Sequence, residues 1–199
     1  MTARMGLAIA GALLMAGCAQ GPERVVERRD TMAPAPRGAS LLKTAMMDGH
    51  NAARAAVGVA PLTWSDTLAT TARAYAEELA RTGKFAHAPQ PQGMSREGEN
   101  LWTGTRYAYA YTEMMGHWVA EKRDFINQPT PGFSRTGKFE DVAHYTQIVW
   151  RGSTQVGCAM ASNKTDDYLV CRYSPPATSS ASALIDLEQM VRPKVVALS

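Results

Sequence analysis

Ala143-His144-Tyr145-Thr146-Gln147-Ile148-Val149-Trp150 is the most informative segment of the sequence. Its β-branched and aromatic residues are typical of a strand. A two-residue period gives each face of such a strand both apolar and polar side chains. We therefore predict a strand that is buried on both faces and that holds His144 rigidly beside the core. From this segment alone, a histidine that is simply satisfied within the core is the alternative interpretation.

The composition predicts one globular domain and excludes one class of partner. The chain has 199 residues, of which 45% are hydrophobic, and a formal net charge of +3. This length allows a substantial core. The sequence has no basic cluster with interleaved aromatic residues, so it indicates no nucleic-acid partner.

The N-terminal region predicts export and lipidation. Arg4 precedes an apolar run that is too short to cross a bilayer, so we interpret residues 1–17 as a lipoprotein signal peptide. Leu14-Met15-Ala16-Gly17-Cys18 resembles a bacterial lipobox, which makes Cys18 the expected site of lipidation. Residues 18–38 contain charges and prolines and are predicted to be a flexible tether. The alternative is an ordinary secretory signal with an incidental cysteine.

This interpretation predicts where the protein is found. Anchoring through several acyl chains is stable, so the membrane is an expected partner. Ala19 is not the acidic residue that resembles an inner-membrane retention signal. We therefore expect an exported cell-envelope lipoprotein in the outer membrane, facing the periplasm, with the cytoplasmic membrane as the alternative. The protein is expected to be secreted if Cys18 is not lipidated.

The two remaining cysteines are predicted to form a disulfide. The chain is expected in an oxidising compartment, where disulfides persist. Strands at about 155–161 and 168–173 can fold back as a hairpin around a polar turn. Such a hairpin can place Cys158 opposite Cys171 at the separation that a disulfide needs.

Two amphipathic helices are predicted in the first half of the domain. Apolar residues at helical spacing indicate a first helix from Ser40 to Gly58. A second helix is predicted to be capped by Ser65 or Asp66 and to end at Gly83. Both helices are expected to cover a sheet.

A third helix, at about 105–125, has a carboxylate on its apolar side. Glu121 lies on the same stripe as Tyr107, Tyr111, Met114, Trp118 and Phe125. A buried carboxylate is costly unless it is paired, so we predict a partner for Glu121, and His117 is one candidate. The alternative is that the helix frays and Glu121 is solvated.

Two loops are predicted on either side of this helix. Residues 84–104 contain several prolines and glycines together with His87 and Glu99. Residues 127–140 are expected to lead into the central strand. A charged loop residue is usually solvated, so Glu99 alone would indicate no function.

Five short motifs follow one another along the chain. They are His50-Asn51-Ala52-Ala53-Arg54 with Pro61-Leu62-Thr63-Trp64, Gly98-Glu99-Asn100-Leu101-Trp102, Trp118-Val119-Ala120-Glu121, His144-Tyr145-Thr146-Gln147-Ile148-Val149-Trp150, and Val156-Gly157-Cys158 with Cys171-Arg172-Tyr173-Ser174-Pro175. Over residues 41–176 this arrangement resembles the CAP superfamily, which includes cysteine-rich secretory proteins, antigen 5 and plant pathogenesis-related 1 proteins.

The resemblance implies both a fold and a site. The expected fold is α/β of the α+β kind, a three-layer α-β-α sandwich with a central, mainly antiparallel sheet and a large cleft, formed by residues 39–176. Residues 177–199 would be a tail with a short helix. In the family the cleft carries two histidines and two glutamates, which correspond here to His87, Glu99, Glu121 and His144.

Three functions are compatible with these four residues. In the first, the cleft binds a lipid or a peptide, His87 and His144 bind a divalent metal such as zinc, and Glu99 and Glu121 orient the imidazoles. In the second, the protein is a metal-dependent peptidase or esterase with Glu99 or Glu121 as general base. In the third, the four residues are a structural network without metal. We expect a binding protein rather than an enzyme, since no nucleophile with an adjacent base is visible.

Overall fold

A five-stranded sheet forms the middle of the domain. The computed structural model describes residues 26–27, 33–91, 95–128 and 132–177. The predicted signal peptide, Cys18 and the tail after Ala177 lie outside these residues. The strands stand in the order β1-β3-β5-β4-β2, and their bounds are β1 Val26–Glu27, β2 Thr63–Trp64, β3 Gly98–Thr105, β4 Gln155–Ser162 and β5 Asp166–Ser174. The three long strands are antiparallel to one another, whereas β1 and β2 pair in parallel at the two edges.

In the part of the chain that the structure describes, α-helices and short 3-10 turns surround the sheet. The helices are α1 Ala39–Ala55, α2 Asp66–Thr82, α3 Tyr111–Ala120 and α4 Ala143–Val149, and the 3-10 turns are Glu121–Arg123 and Glu140–Val142. Among the described residues, no helix combines the length and the apolar composition that a bilayer crossing requires.

The helices occupy both faces of the sheet, and this confirms the predicted three-layer sandwich. Helix α2 covers one face, where it packs through Ala72, Ala76 and Leu79. Helices α1, α3 and α4 cover the other face, where the largest cluster of buried apolar side chains lies. Close approach of α2 requires a glycine on β4, because a Cβ atom at Gly157 would collide with the main-chain nitrogen of Ala69.

Local sequence signals explain the bounds of α2. The Ser65 hydroxyl accepts a hydrogen bond from the main-chain nitrogen of Leu68 at 3.3 Å, as expected of an N-cap. Gly83 ends the helix in the left-handed region, with φ of 67°. Both assignments confirm the sequence prediction. Helix α1 differs slightly, because its N-cap is Gly38 rather than Ser40.

The prediction of a strand at 143–150 is wrong, because this segment forms α4 and only Trp150 is extended. Six of the seven residues of α4 are buried. A helix that is buried all round shows no amphipathic period, so β-branched content misleads the assignment. The predicted burial of His144 nevertheless holds, since the residue is 6% exposed.

The predicted loop at 84–104 and the predicted helix at 105–125 are also wrong in part. Strand β3 begins at Gly98 and pairs residue by residue with β5. Tyr107 has a φ of 62°, a conformation that separates β3 from the next helix. Helix α3 therefore begins only at Tyr111, and Glu121 lies on the 3-10 turn that follows it.

The predicted hairpin and its disulfide are confirmed. Strands β4 and β5 pair in register, and Cys158 lies directly opposite Cys171. The two residues form a disulfide with their Cα atoms 4.1 Å apart.

Candidate functional site

Glu121 and His144 form the first of two histidine–glutamate pairs. The Glu121 Oε1 atom lies 2.5 Å from His144 Nδ1, and Oε2 accepts a hydrogen bond from the main-chain nitrogen of Tyr145 at 3.0 Å. The two side chains are 16% and 7% exposed. The His144 ring stacks on Trp118, with the ring centroids 5.9 Å apart. Glu121 therefore has the partner that its sequence position required.

That partner is not His117. The indole nitrogen of Trp102 donates a hydrogen bond to His117 Nδ1 at 2.8 Å, and the two rings stack. His117 thus belongs to an aromatic group with Trp102 and Tyr109. Because Glu121 lies on a 3-10 turn beyond the end of α3, its side chain reaches α4 instead.

His87 and Glu99 form the second pair. His87 Nδ1 lies 2.6 Å from Glu99 Oε1, which also accepts a hydrogen bond from the main-chain nitrogen of Ala88 at 3.0 Å. Glu99 is buried, with 5% of its side chain exposed, whereas 41% of the His87 side chain is exposed. The hydroxyl of Tyr75 donates to the carbonyl of Ala86, which fixes the loop that carries His87.

Arg172 supplies the charge that Glu99 needs in its buried position. Its Nη2 atom lies 2.7 Å from Glu99 Oε2, and Nη1 lies 3.6 Å from Glu97 Oε2. The guanidinium also lies over the ring of Tyr75, at 5.3 Å from its centroid. Burial, and then the nearby charge of Glu99, raise the pKa of Tyr75. The buried side chain of Glu99 therefore lies against an opposite charge, that of Arg172.

Strand β3 joins the two pairs. Glu99 and Asn100 are consecutive, so their side chains point to opposite faces of the sheet. The Asn100 Nδ2 atom donates to the main-chain oxygen of His144 at 3.1 Å. One pair therefore lies on the α2 side of β3 and the other on the α4 side. In the described ranges no group of three or more histidine, cysteine or acidic residues is arranged to hold a metal ion.

A buried network behind the His144 pair was not found from the sequence. His50 is fully buried, and its Nδ1 atom donates to the carbonyl of Met46 at 2.7 Å, while Nε2 accepts from the Tyr173 hydroxyl at 2.7 Å. Tyr173 in turn accepts from Asn100 at 3.1 Å. Burial lowers the pKa of His50 to about 4, so this histidine is neutral. The sequence feature that could have identified His50 is its position on the apolar stripe of α1, four residues after Met46.

Arg54 is a second buried residue that the sequence reading left without a role. The residue is 1% exposed, and its guanidinium binds the C-terminal end of α4, which suits a cation. Burial lowers its pKa to about 10. The guanidinium donates to the main-chain oxygens of Ala60, Ile148, Trp150 and Ser153.

The hydrogen bonds define what the two imidazoles can do. In both pairs a carboxylate lies against Nδ1, so the neutral ring carries its proton there. The Nε2 lone pair of each ring is then available to accept a proton, a hydrogen bond or a metal ion. A carboxylate on the opposite ring nitrogen also fixes the direction in which Nε2 points.

Comparisons with known sequences give one family. The family model described as "CAP: Cysteine-rich secretory protein family" matches residues 47–173. The pathogenesis-related protein of PR-1 type from Sambucus nigra is 39% identical over 131 residues, which are 65% of this chain and 74% of that protein. Pathogenesis-related protein 1C from Nicotiana tabacum is 37% identical over 131 residues, 65% of this chain and 73% of that protein.

Solved structures share the fold. The crystal structure of NaASP2 with Zn2+ superposes with a TM-score of 0.60 at 20% identity, over 76% of this chain and 90% of that one. The venom allergen-like protein 4 of Schistosoma mansoni gives a TM-score of 0.54 at 20% identity, over 74% of this chain and 96% of that one. At these identities the similarity concerns the fold alone.

Proposed function

The chain belongs to the cysteine-rich secretory protein (CAP) family, and we propose that it is an envelope-anchored binding protein of the pathogenesis-related 1 type. It holds a lipid or a peptide in a cleft at the Gly98 end of β3. The two His–Glu pairs border this proposed cleft from opposite sides of β3, His87 with Glu99 from the α2 side and His144 with Glu121 from the α4 side. The glutamates fix the orientation of the rings.

One observation carries this proposal. Each imidazole has a carboxylate on Nδ1, at 2.6 Å in one pair and 2.5 Å in the other, and each carboxylate also accepts a main-chain hydrogen bond. A chain that only needed a stable core would not require two such pairs on either side of one strand. The arrangement is suited to presenting two basic nitrogens in fixed directions.

The donor set fits a divalent transition ion such as zinc. Two neutral imidazoles, each hydrogen bonded to a carboxylate, are ligands that zinc prefers. When bound, the ion would supply a positive centre that attracts an anionic or carbonyl group of the ligand. Two protein ligands are fewer than catalytic zinc sites normally have, so we expect modest affinity. The Zn2+ in the NaASP2 crystal structure supports testing this metal first.

The two carboxylates favour binding over hydrolysis. Glu99 is paired with Arg172, and Glu121 accepts from His144 and from Tyr145. A general base needs a free acceptor within reach of the proton that it removes. Both glutamates are committed to the imidazoles and the main chain, so we assign them to positioning.

We further propose that the protein is exported and attached to the outer membrane through lipid on Cys18. The disulfide between Cys158 and Cys171 supports an oxidising compartment. Labelling of cells with a clickable fatty acid, followed by capture of the protein, tests the anchor. Label is expected on the wild type and absent from Cys18→Ala. Equal labelling of both proteins would contradict lipidation at this cysteine.

Isothermal titration calorimetry of the purified protein with zinc, at pH 7.5 and at pH 5.5, tests the metal site. Binding is expected at pH 7.5, and it should weaken at pH 5.5 because imidazole ligands must be deprotonated. The His87→Ala/His144→Ala double variant should lose it. His117→Ala is the matched control, since it removes an imidazole outside both pairs and should bind zinc as the wild type does.

Ligand binding is measured separately from metal binding. Phospholipid vesicles and a mixed peptide library are each added to the wild type and to the double variant, with and without zinc. Saturable binding that the double variant loses supports the proposed cleft. If the wild type binds no zinc and neither the vesicles nor the peptides bind saturably, the binding function is contradicted and a structural network is favoured.

A further inference from the structure

The outer edge of β4 pairs with no other described strand along most of its length. Strand β2 pairs with only the first two residues of β4, in the register Thr63 with Gln155 and Trp64 with Val156. The chain then turns into α2 at Asp66. Among the described strands, none pairs with this edge beyond Val156.

This edge presents main-chain hydrogen-bonding groups. The carbonyl of Val156 points away from β5, because it accepts a hydrogen bond from Ser65 at 2.9 Å. The Cα separation of 4.1 Å between Cys158 and Cys171 is that of a non-hydrogen-bonded pair. Main-chain groups alternate along a strand, so those of Cys158, Met160 and Ser162 also point outward.

A cavity of about 560 Å³ lies along these residues. Met160 and Ser162 line it together with Cys158, and we call it the edge groove. Its other walls come from the start of α1, from Trp64 and from one face of α2. The volume is in the range of ligand-binding sites. The groove is separate from the His–Glu pairs, since none of the four residues lines it.

The walls of the edge groove carry positive charge. Arg37, Lys43 and Arg73 line it, against one acidic residue, Asp66. Arg37 is paired with Asp167 at 2.7 Å. Lys43 Nζ lies 5.2 Å from the centroid of the Trp64 ring.

Two of these cations are available to a partner. Lys43 and Arg73 are exposed, and neither makes an ion pair with another described residue. They stand on two different helices that border the same groove, α1 and α2. A chain that lay along β4 would therefore pass between two unpaired positive charges.

We propose that the edge groove binds an extended acidic peptide segment of another protein, which adds a strand to β4. Main-chain groups of the peptide pair with those of Met160 and Ser162, and its acidic side chains lie near Lys43 and Arg73. A second copy of this chain is a poorer occupant. Pairing two β4 edges would bring the positive walls of both copies together.

Fluorescence anisotropy with a labelled, capped hexapeptide of alternating valine and glutamate tests the proposal on the full chain. The wild type should bind, and the Lys43→Glu/Arg73→Glu variant should bind at least about tenfold more weakly. Arg135→Glu/Lys138→Glu is the matched control, because these exposed residues give the same charge change and do not line the edge groove. It should bind as the wild type does.

Two further probes separate strand addition from simple charge attraction. The same peptide methylated on alternate main-chain nitrogens keeps its charge and should lose about tenfold or more in affinity. The His87→Ala/His144→Ala variant should bind the unmethylated peptide normally, so failure of the metal site leaves this test intact. Three outcomes would each overturn the proposal. The wild type does not bind the peptide, it binds the methylated peptide equally well, or it forms a dimer that Lys43→Glu/Arg73→Glu abolishes.

Discussion

The two His–Glu pairs have the same chemistry but different surroundings. His144 and Glu121 are 7% and 16% exposed, and the strand and helix behind them are joined by neutral hydrogen bonds. The other pair combines a buried Glu99 with a His87 that is 41% exposed, and a cation stabilises it. The first pair is therefore supported by burial and by hydrogen bonds among neutral groups behind it, and the second pair by a compensating charge.

This difference predicts which perturbation affects which pair. Removing the charge of Arg172 should disturb Glu99 and leave Glu121 in place, because Glu121 is held by His144 and Tyr145. Acidification should lower stability through the buried neutral network around His50, because that ring resists protonation in the folded protein. Both pairs hold their imidazole at Nδ1, so both should contribute to metal binding despite their unequal contribution to stability.

Arg172→Met is expected to have the largest effect. It leaves the carboxylate of Glu99, which is 5% exposed, without its opposite charge. Removing one partner of a buried ion pair lowers the free energy of unfolding by about 3–5 kcal/mol. Urea denaturation at pH 7 measures the loss. Arg172→Lys, which keeps the charge but not the planar fork, should lose less.

The stability of Arg172→Met shows whether charge holds Glu99 in place. A value for Arg172→Met within about 1 kcal/mol of the wild type would mean that Glu99 is not held by charge. NMR signals of the His144 ring in Arg172→Met report on the first pair. They should keep their wild-type positions if the two pairs are independently supported.

Acidification is expected to lower stability through His50, whose pKa is about 4 in the folded protein because of burial, against 6.5 in the unfolded chain. Above pH 6.5 the ring is neutral in both states. Between pH 6.5 and 4 the unfolded chain binds a proton that the folded protein does not, so the free energy of unfolding falls as the pH falls. The full loss is about 3 kcal/mol.

Denaturation curves between pH 4 and pH 7 check this dependence. His50→Gln should be less stable than the wild type at pH 7 but should show a shallower fall towards pH 4. His117→Gln is the control, because it removes a histidine outside the network and should keep the wild-type slope. An unchanged slope in His50→Gln would assign the acid sensitivity to other groups.

Helix α2 and the β4–β5 hairpin could be predicted from the sequence, because local patterns determine them. Helix α2 has a serine cap and a terminal glycine, and the hairpin places Cys158 opposite Cys171. Helix α4 could not be predicted in this way. Helix α4 is buried on nearly all sides, so its sequence shows no helical period, and tertiary packing overrides the strand preference of its side chains.

The candidate site was predicted unevenly for the same reason. A carboxylate on an apolar stripe is unusual, so Glu121 was recognised as needing a partner. His50 and Arg54 also lie on the buried side of a helix, yet their partners are main-chain carbonyls and a distant tyrosine. Such partners come from the three-dimensional arrangement and leave no pattern in neighbouring residues.

Glu121→Gln is expected to have an intermediate effect. The amide can accept at one oxygen only, whereas Glu121 accepts from both His144 Nδ1 and the main-chain nitrogen of Tyr145. One buried donor is left unsatisfied, which costs about 1–3 kcal/mol of the free energy of unfolding. Glu140→Gln is the control, since Glu140 is exposed, and should be neutral. Equal values for both variants would show that Glu121 is not needed to orient His144.

His87→Ala is expected to have the smallest effect on stability, about 0.5–1 kcal/mol, because 41% of the side chain is exposed and Glu99 keeps its bonds to Ala88 and Arg172. The same change at the buried His144 should cost several times more. Zinc affinity should fall to a similar extent in both single variants, because each removes one of two imidazoles. If the two single variants differ in stability but lose zinc affinity equally, the pairs differ in their support and share one function. If His87→Ala still binds zinc as the wild type does, the exposed pair is not part of the site.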